Sequence, residues 1–280
     1  MFIDREFYYE LEEFSKLGIK AIYTTKNLGD IKKEEDRKKI ISLLGIADKN
    51  IYSGLQTHSS NIVVIDEKTM NYSENTDGFI TQRQDVVIFT KYADCLPIYI
   101  YDEVNKAFGC VHSGWVGSFE NIGLKAINLM VERFDSRVEN IIVAFGIGIS
   151  SENYEVSREF YSKFKEKFKE RLLEKVFLKK EEKYYFDNQQ FNYNLMKEIG
   201  IQEKNIITND LCTYRDNFHS HRREKEKAGR NGAYIFIDKN RKKWYNNLLI
   251  KCTLIISRQG ALRGCLVLRS VEEITKIRRS

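Results

Sequence analysis

Residues 91–115, KYADCLPIYIYDEVNKAFGCVHSGW, hold two apolar runs separated by a polar turn. Pro97-Ile98-Tyr99-Ile100-Tyr101 and Ala107-Phe108-Gly109-Cys110-Val111 are rich in β-branched and aromatic residues, and Asp102-Glu103-Val104-Asn105-Lys106 lies between them. This pattern predicts a β-hairpin. A hairpin returns the chain on itself, so Cys95, ahead of the first strand, meets His112 at the end of the second. A thiol and an imidazole paired in this way serve as two metal ligands or as a nucleophile with its base.

Further strands are expected at 21–25, 61–65, 79–81, 86–90, 141–145 and 233–237, each a short apolar run. Helices are expected at 32–44, 118–134 and 189–199, and a long, highly charged one at 159–178 reads as a solvated surface element. Residues 1–17 read as an amphipathic segment and 210–230 as polar loop. Strands and helices mix without regular βα alternation, which predicts an α+β fold with a mixed or antiparallel sheet.

The chain is 280 residues long, enough for one large domain or two small ones. Its charge of +6 is unevenly placed: residues 241–280 carry ten Lys/Arg against Glu272 and Glu273, leaving 36 basic against 38 acidic residues in 1–240. The near-neutral body gives no case for nucleic-acid binding. We therefore expect a single main domain over 1–240, which would carry whatever activity the chain has, and a basic appendage over 241–280. The acidic start MFIDREFYYELEEF lacks a signal-peptide pattern, and no stretch has the length of a membrane span. Five widely spaced cysteines without an export signal predict reduced thiols and a cytoplasmic location.

Only four histidines occur: His58, His112, His219 and His221. His58 precedes an apolar strand as His112 follows one, so His58, Cys95 and His112 all fall at strand edges. A His/Cys/His set would leave the fourth position of tetrahedral zinc open, as in catalytic sites, although two hydrogen-bonded histidines and a core cysteine have the same spacing. Cys110, two residues before His112 on the same strand face, reads as a buried thiol or as a substitute ligand. His219-Ser220-His221-Arg222-Arg223 and Arg230 supply cationic donors suited to phosphate or a polar substrate edge, or form a solvated loop.

Several short motifs occur in order: Gln56-Thr57-His58, Thr76-Asp77-Gly78-Phe79-Ile80-Thr81, Ala93-Asp94-Cys95-Leu96-Pro97-Ile98, His112-Ser113-Gly114-Trp115 and Tyr154-Glu155-Val156. Cys212-Thr213, Phe218 through Arg223 and Gly229-Arg230 follow. Together they resemble the multicopper polyphenol oxidoreductase, or laccase-like, family, also called peptidoglycan editing factor and described as purine nucleoside phosphorylases. The resemblance covers about residues 18–237. It implies a catalytic zinc on His58, Cys95 and His112, with copper as the alternative metal. It also implies a β-sandwich-like core flanked by helices, similar to the cytotoxic necrotising factor catalytic fold. The implied chemistry is phosphorolysis of adenosine, inosine, guanosine and methylthioadenosine, together with deamination of adenosine. Purine nucleosides and phosphate are then the expected partners, with no membrane.

Within that resemblance Asp94 and Glu155 are candidates to carry a proton, and Arg222, Arg223 and Arg230 to hold phosphate. A laccase needs several copper centres, which four histidines do not supply. Val116 stands where the family carries Arg, and Ile147 where it carries Pro. Two rival readings use the same residues. In one, Cys95 is the nucleophile and His112 the base of a hydrolase acting on peptidoglycan precursors. In the other, a non-enzymatic interaction protein closes a four-ligand zinc site with His219, His221 or Cys110.

Overall fold

In the computed structural model, which describes residues 1–238, the predicted hairpin lies at the centre of the molecule. Leu96–Asp102 pairs antiparallel with Ala107–Ser113, Leu96 opposite Ser113 and Pro97 opposite His112. Both strands are buried along their whole length. This requires cover on two faces, and the side chains alternate accordingly. Tyr99 and Tyr101 face one core, whereas Ile98 and Ile100 face another.

The hairpin belongs to a six-stranded mixed sheet in the order Ile206–Ile207, Ile141–Phe145, Leu96–Asp102, Ala107–Ser113, Gly78–Thr81, Ile62–Val64. A seven-stranded sheet packs against it, with Ile19–Thr24, Asn231–Ile237 and Val86–Tyr92 as its central strands. Between the sheets lie Tyr23, Ile88, Ala233 and Ile235 from one and Phe79, Tyr99, Phe108 and Cys110 from the other. The Tyr99 hydroxyl crosses the gap to donate to the Ile22 carbonyl at 2.7 Å. Helices cover the outer faces. Ile122–Phe134 and Asn188–Glu198 bury Ile127, Met130 and Met196 against the six-stranded sheet. Glu34–Leu44 buries Ile40 against Val87, Phe89 and Phe236 of the other. The expected α+β sandwich flanked by helices is thus the observed architecture.

Several local expectations differ. The segment 1–17 forms strands Phe2–Asp4 and Tyr8–Leu11 and a short helix Glu12–Lys16. The helix expected over 118–134 is two helices, Trp115–Phe119 and Ile122–Phe134, broken at Asn121 with φ 58°. Asparagine tolerates this left-handed conformation better than other side chains that carry a Cβ. The long charged helix over 159–178 is likewise two, Arg158–Lys167 and Glu170–Val176, followed by strand Phe177–Lys180. Nor is that region merely solvated. The chain extends at Phe168, whose ring meets Phe164 and Phe191 at centroid distances of 5.6 and 5.0 Å. Phe164, Leu173, Val176, Phe186 and Phe191 form a buried satellite core beneath a small three-stranded sheet. Charge density had masked an aromatic face that recurs at helical spacing.

Residues 1–237 form one compact unit, and the basic appendage expected over 241–280 lies outside the described residues. Among the described residues no helix is long and apolar enough to cross a membrane. Because Phe164 is fully buried among aromatic rings, Phe164→Ala is expected to cost about 3–5 kcal/mol. Chemical denaturation checks it, and a cost within the ~0.5 kcal/mol of an exposed site would restore the surface reading.

Candidate metal centre and its cleft

Two loops and a strand end bring the candidate donors together. His58 lies in the connection between Asn50–Gly54 and Ile62–Val64, Cys95 in the short turn between Val86–Tyr92 and Leu96–Asp102, and His112 near the end of Ala107–Ser113. Their ligand atoms all lie within 4.8 Å of one another. The His58 and His112 ring centroids are 5.0 Å apart, inclined at 67°. Gly114 leaves the space for this convergence: a Cβ there would sit 3.0 Å from the His58 ring and 3.1 Å from the Cys95 sulfur. Exposure falls from His58 through Cys95 to His112, so the site opens on the His58 side.

Asp77, fully buried at the head of strand Gly78–Thr81, holds the His58 loop and His112 at once. Its carboxylate accepts from the backbone N–H of Thr57, His58 and Ser59 at 3.1, 3.1 and 2.8 Å and from the Ser59 hydroxyl at 2.7 Å. It also accepts from His112 Nδ1 at 2.7 Å. A carboxylate at this contact makes Nδ1 the protonated nitrogen, so Nε2 is directed to the other two donors. Burial opposes ionisation of Asp77, but the His112 and Ser59 hydrogen bonds bring its pKa down to about 2. Burial also opposes the charged forms of Cys95 and His112, yet each is favoured by the other. Cys95 is lowered to about 6 by the two histidines, and His112 is raised to about 9 by Cys95 and Asp77. Two imidazoles around an easily ionised thiol form a donor set suited to zinc, with the second nitrogen of His112 oriented by a carboxylate.

The donors line a cleft of about 490 Å³. Trp115, Tyr154, Asn188, Gln56, Lys91 and Arg230 are among its lining residues. Tyr154 lies 5.5 Å from the Arg222 guanidinium, and burial drives its hydroxyl well above its ordinary pKa. Gln56 ties the His58 loop to strand Val86–Tyr92: its side chain donates to the Lys91 carbonyl at 2.9 Å and accepts from the Lys91 N–H at 2.8 Å.

The other sequence candidates occupy distinct places. Asp94 lines the cleft, and its carboxylate accepts from the Thr213 hydroxyl at 2.7 Å and the Arg222 N–H at 2.6 Å. Glu155 pairs with Lys183 at 3.0 Å and is not among the lining residues. Arg222 and Arg230 line the cleft. Arg223 does not: its guanidinium donates to the carbonyls of Thr213, Tyr214 and Phe218 and to Glu224. His221 lines the cleft, whereas His219 Nε2 meets the Gly29 carbonyl at 2.9 Å. Cys110 turns away into the core, 3.5 Å from the Thr90 hydroxyl, and its burial raises its thiol to about 11. The sequence reading passed over Asp77 as a site residue. A lone acid between Thr76 and Gly78, heading a strand that is otherwise apolar, was the available signal.

A sequence model described as multi-copper polyphenol oxidoreductase laccase matches residues 19–238. A purine nucleoside phosphorylase of Borreliella burgdorferi is 36% identical over 225 residues, covering 80% of this chain and 94% of that protein. Among solved structures, the hypothetical protein YfiH of Bacillus licheniformis superposes with a TM-score of 0.77 at 26% identity, over 84% of this chain and 98% of that one. YlmD of Geobacillus stearothermophilus gives 0.75 at 20% identity, over 85% and 98%, a likeness of fold.

The Asp77 bonds have a pH signature. A carboxyl whose pKa falls on folding contributes stability that is complete above its unfolded value of about 4 and is lost as pH falls towards about 2. The size of that contribution is about 2–3 kcal/mol. Asp77→Asn is expected to remove this acid-dependent component and to weaken metal binding by about 10–100-fold. Denaturation curves from pH 7 to 3 and metal titration check both, and an unchanged acid limb in the variant would refute the assignment.

Proposed function

Because this chain belongs to the multicopper polyphenol oxidoreductase laccase family, we propose that it is a zinc-dependent purine nucleoside phosphorylase that also deaminates adenosine. The observation carrying the proposal is the convergence of His58, Cys95 and His112 on a cleft whose volume lies within the ~300–1,000 Å³ range of small-molecule sites. Adenosine, inosine, guanosine and methylthioadenosine are the proposed nucleosides, taken with phosphate in the cytoplasm.

His58, Cys95 and His112 would hold the ion, with copper as the alternative metal. Three protein donors are the number found in catalytic rather than closed structural zinc sites. When bound, zinc supplies Lewis acidity and electrostatic stabilisation of developing negative charge. Asp77 keeps His112 in the ligating tautomer. Trp115 and Tyr154 present aromatic surface to a purine. In phosphorolysis a phosphate oxygen bonds to ribose C1′ as the glycosidic bond breaks, and the purine leaves with the bonding electrons. Arg222 and Arg230 supply cationic donors to the phosphate, and Arg223 braces the short helix His221–Glu224 that carries Arg222. Asp94, on the cleft wall, is assigned to proton transfer.

The depressed Cys95 and elevated His112 also favour a second reading, a Cys/His hydrolase acting on peptidoglycan precursors. Metal analysis and product detection separate the two. The expected result is one zinc per chain, lost in Cys95→Ala. Adenosine then gives adenine and ribose 1-phosphate only when phosphate is present, and inosine with or without it, and chelation stops both. Activity that survives complete chelation would favour the hydrolase, and adenine release without phosphate would remove phosphorolysis.

We also assign the catalytic function to residues 1–240. Truncation after Asn240 is expected to leave metal content and adenosine turnover within about twofold of the full chain. This expectation follows because residues 1–237 carry a complete core of their own. A truncated protein that binds metal but has lost turnover would assign the remaining residues a part in catalysis.

A further inference from the structure

The cleft has a cationic end that the donor triangle does not use. Lys32, Lys91 and Arg230 all line it. Lys32 Nζ and Arg230 share the Ala228 carbonyl at 3.3 and 3.0 Å, which brings their cationic groups together. Arg37 stands behind them, donating to the carbonyls of Ile31 and Lys32 at 3.0 and 2.6 Å. Two carboxylates lie nearby. Asp30 accepts the backbone N–H of Lys32 and Arg230 and is 3.6 Å from Lys32 Nζ, and Asp36 accepts the backbone N–H of Asp30. Four cations therefore face two anions, both already engaged by backbone donors.

Lys91 is the unusual member. Its strand pairs it with Gly232, so no side chain stands opposite it. Val87 and Phe89 of the same strand face are packed in the core under helix Glu34–Leu44, and Lys91 continues that face to the cleft. The residue is half-buried, and among the described residues its ammonium has no carboxylate or hydrogen-bond partner. Burial first, then the charges of Arg37 and Arg230, pull its pKa below the ordinary lysine value. A half-buried, unpaired ammonium beside other cations opposes folding, and a methionine or leucine would fill the same space more favourably. Such a group is consistent with a ligand that supplies the missing negative charge.

We propose that Lys91, with Arg230 and Lys32, forms a binding site for a phosphate group on the wall of the cleft. The choice of phosphate rests on the phosphorylase reading above. The cluster itself calls for a compact oxyanion with several acceptor oxygens, since it offers ammonium and guanidinium donors at close quarters. Two sources have this chemistry, free inorganic phosphate and the 5′-phosphate of a purine nucleotide.

The test uses the full metal-loaded chain and its Lys91→Met and Lys91→Arg variants. Calorimetric titration with inorganic phosphate, and with AMP against adenosine, reads the two sources separately. In Lys91→Met, binding of the phosphate-bearing ligand is expected to weaken about tenfold or more, the loss of one charged hydrogen bond. Adenosine binding is expected to stay within about twofold, and Lys91→Arg to restore much of the loss. With phosphate absent, Lys91→Met is expected to melt at or above the parent temperature, which separates a ligand site from a structural cation. Weaker phosphate binding identifies the free ion as occupant, and weaker AMP binding with adenosine unchanged identifies the nucleotide. Unchanged binding of both in Lys91→Met overturns the site, as does a parent that binds neither phosphate nor AMP better than adenosine. Phosphate binding that depends on Lys91 without any phosphorolysis would leave the site standing and remove the phosphorylase reading alone.

Discussion

The Asp77 carboxylate is the interaction on which the site depends. Buried completely, it gathers three consecutive backbone N–H groups of the His58 loop and the Nδ1–H of His112. A buried charge with so many donors is stabilising only while all are present, because each lost partner leaves a desolvated oxygen behind. The cost of burying the charge is thereby converted into position. One group sets the path of the loop, the tautomer of His112 and the approach of His58. The Asp77 backbone adds to this, accepting from the His112 N–H through its carbonyl and donating to the Asn61 carbonyl at 3.0 Å.

Much of the fold was legible because hydrophobic alternation is a local property. The hairpin of 91–115, the strands at 86–90 and 141–145 and the helix near 189–199 all follow from spacing that a reader can count. Boundaries that depend on one residue's backbone were not legible. Asn121 gives no outward sign that it will break a helix, and the satellite core around Phe164 was hidden by the lysines and glutamates between its aromatics. For the site, the approach of Cys95 to His112 follows from hairpin geometry, but His58 joins them through a loop whose course no periodicity predicts. Asp77 reads as part of a turn until its burial is known. Lys91 likewise reads as a strand end until the cations around it are seen.

The cleft is electrostatically divided. At the donor triangle, thiol, imidazole and carboxylate stabilise one another's charged forms, so polar groups are satisfied internally. Around Lys32, Lys91 and Arg230 the cations outnumber their partners, and Lys91 is left with a charge that its surroundings disfavour. Lys91 is nevertheless tied to the His58 loop, since Gln56, two residues before His58, clasps both backbone groups of Lys91.

Backbone strain completes this account. Both His58 and Asp94, the first a donor and the second next to one, adopt positive φ, 59° and 87°. Such conformations cost of order 1–3 kcal/mol for residues with a Cβ and persist only where the surroundings over-determine them. Here they are over-determined. The His58 N–H is held by Asp77, while Asp94 is fixed through both carboxylate oxygens and accepts the Ile149 N–H at 2.9 Å through its carbonyl. A glycine at either position would relieve the strain but would forfeit the imidazole or the carboxylate. The two strained loops and the missing side chain at Gly114 are complementary, because the loops bring donor atoms inward and the glycine lets them meet. A site held in this way is organised before anything binds to it, so binding energy need not be diverted to arranging the donors.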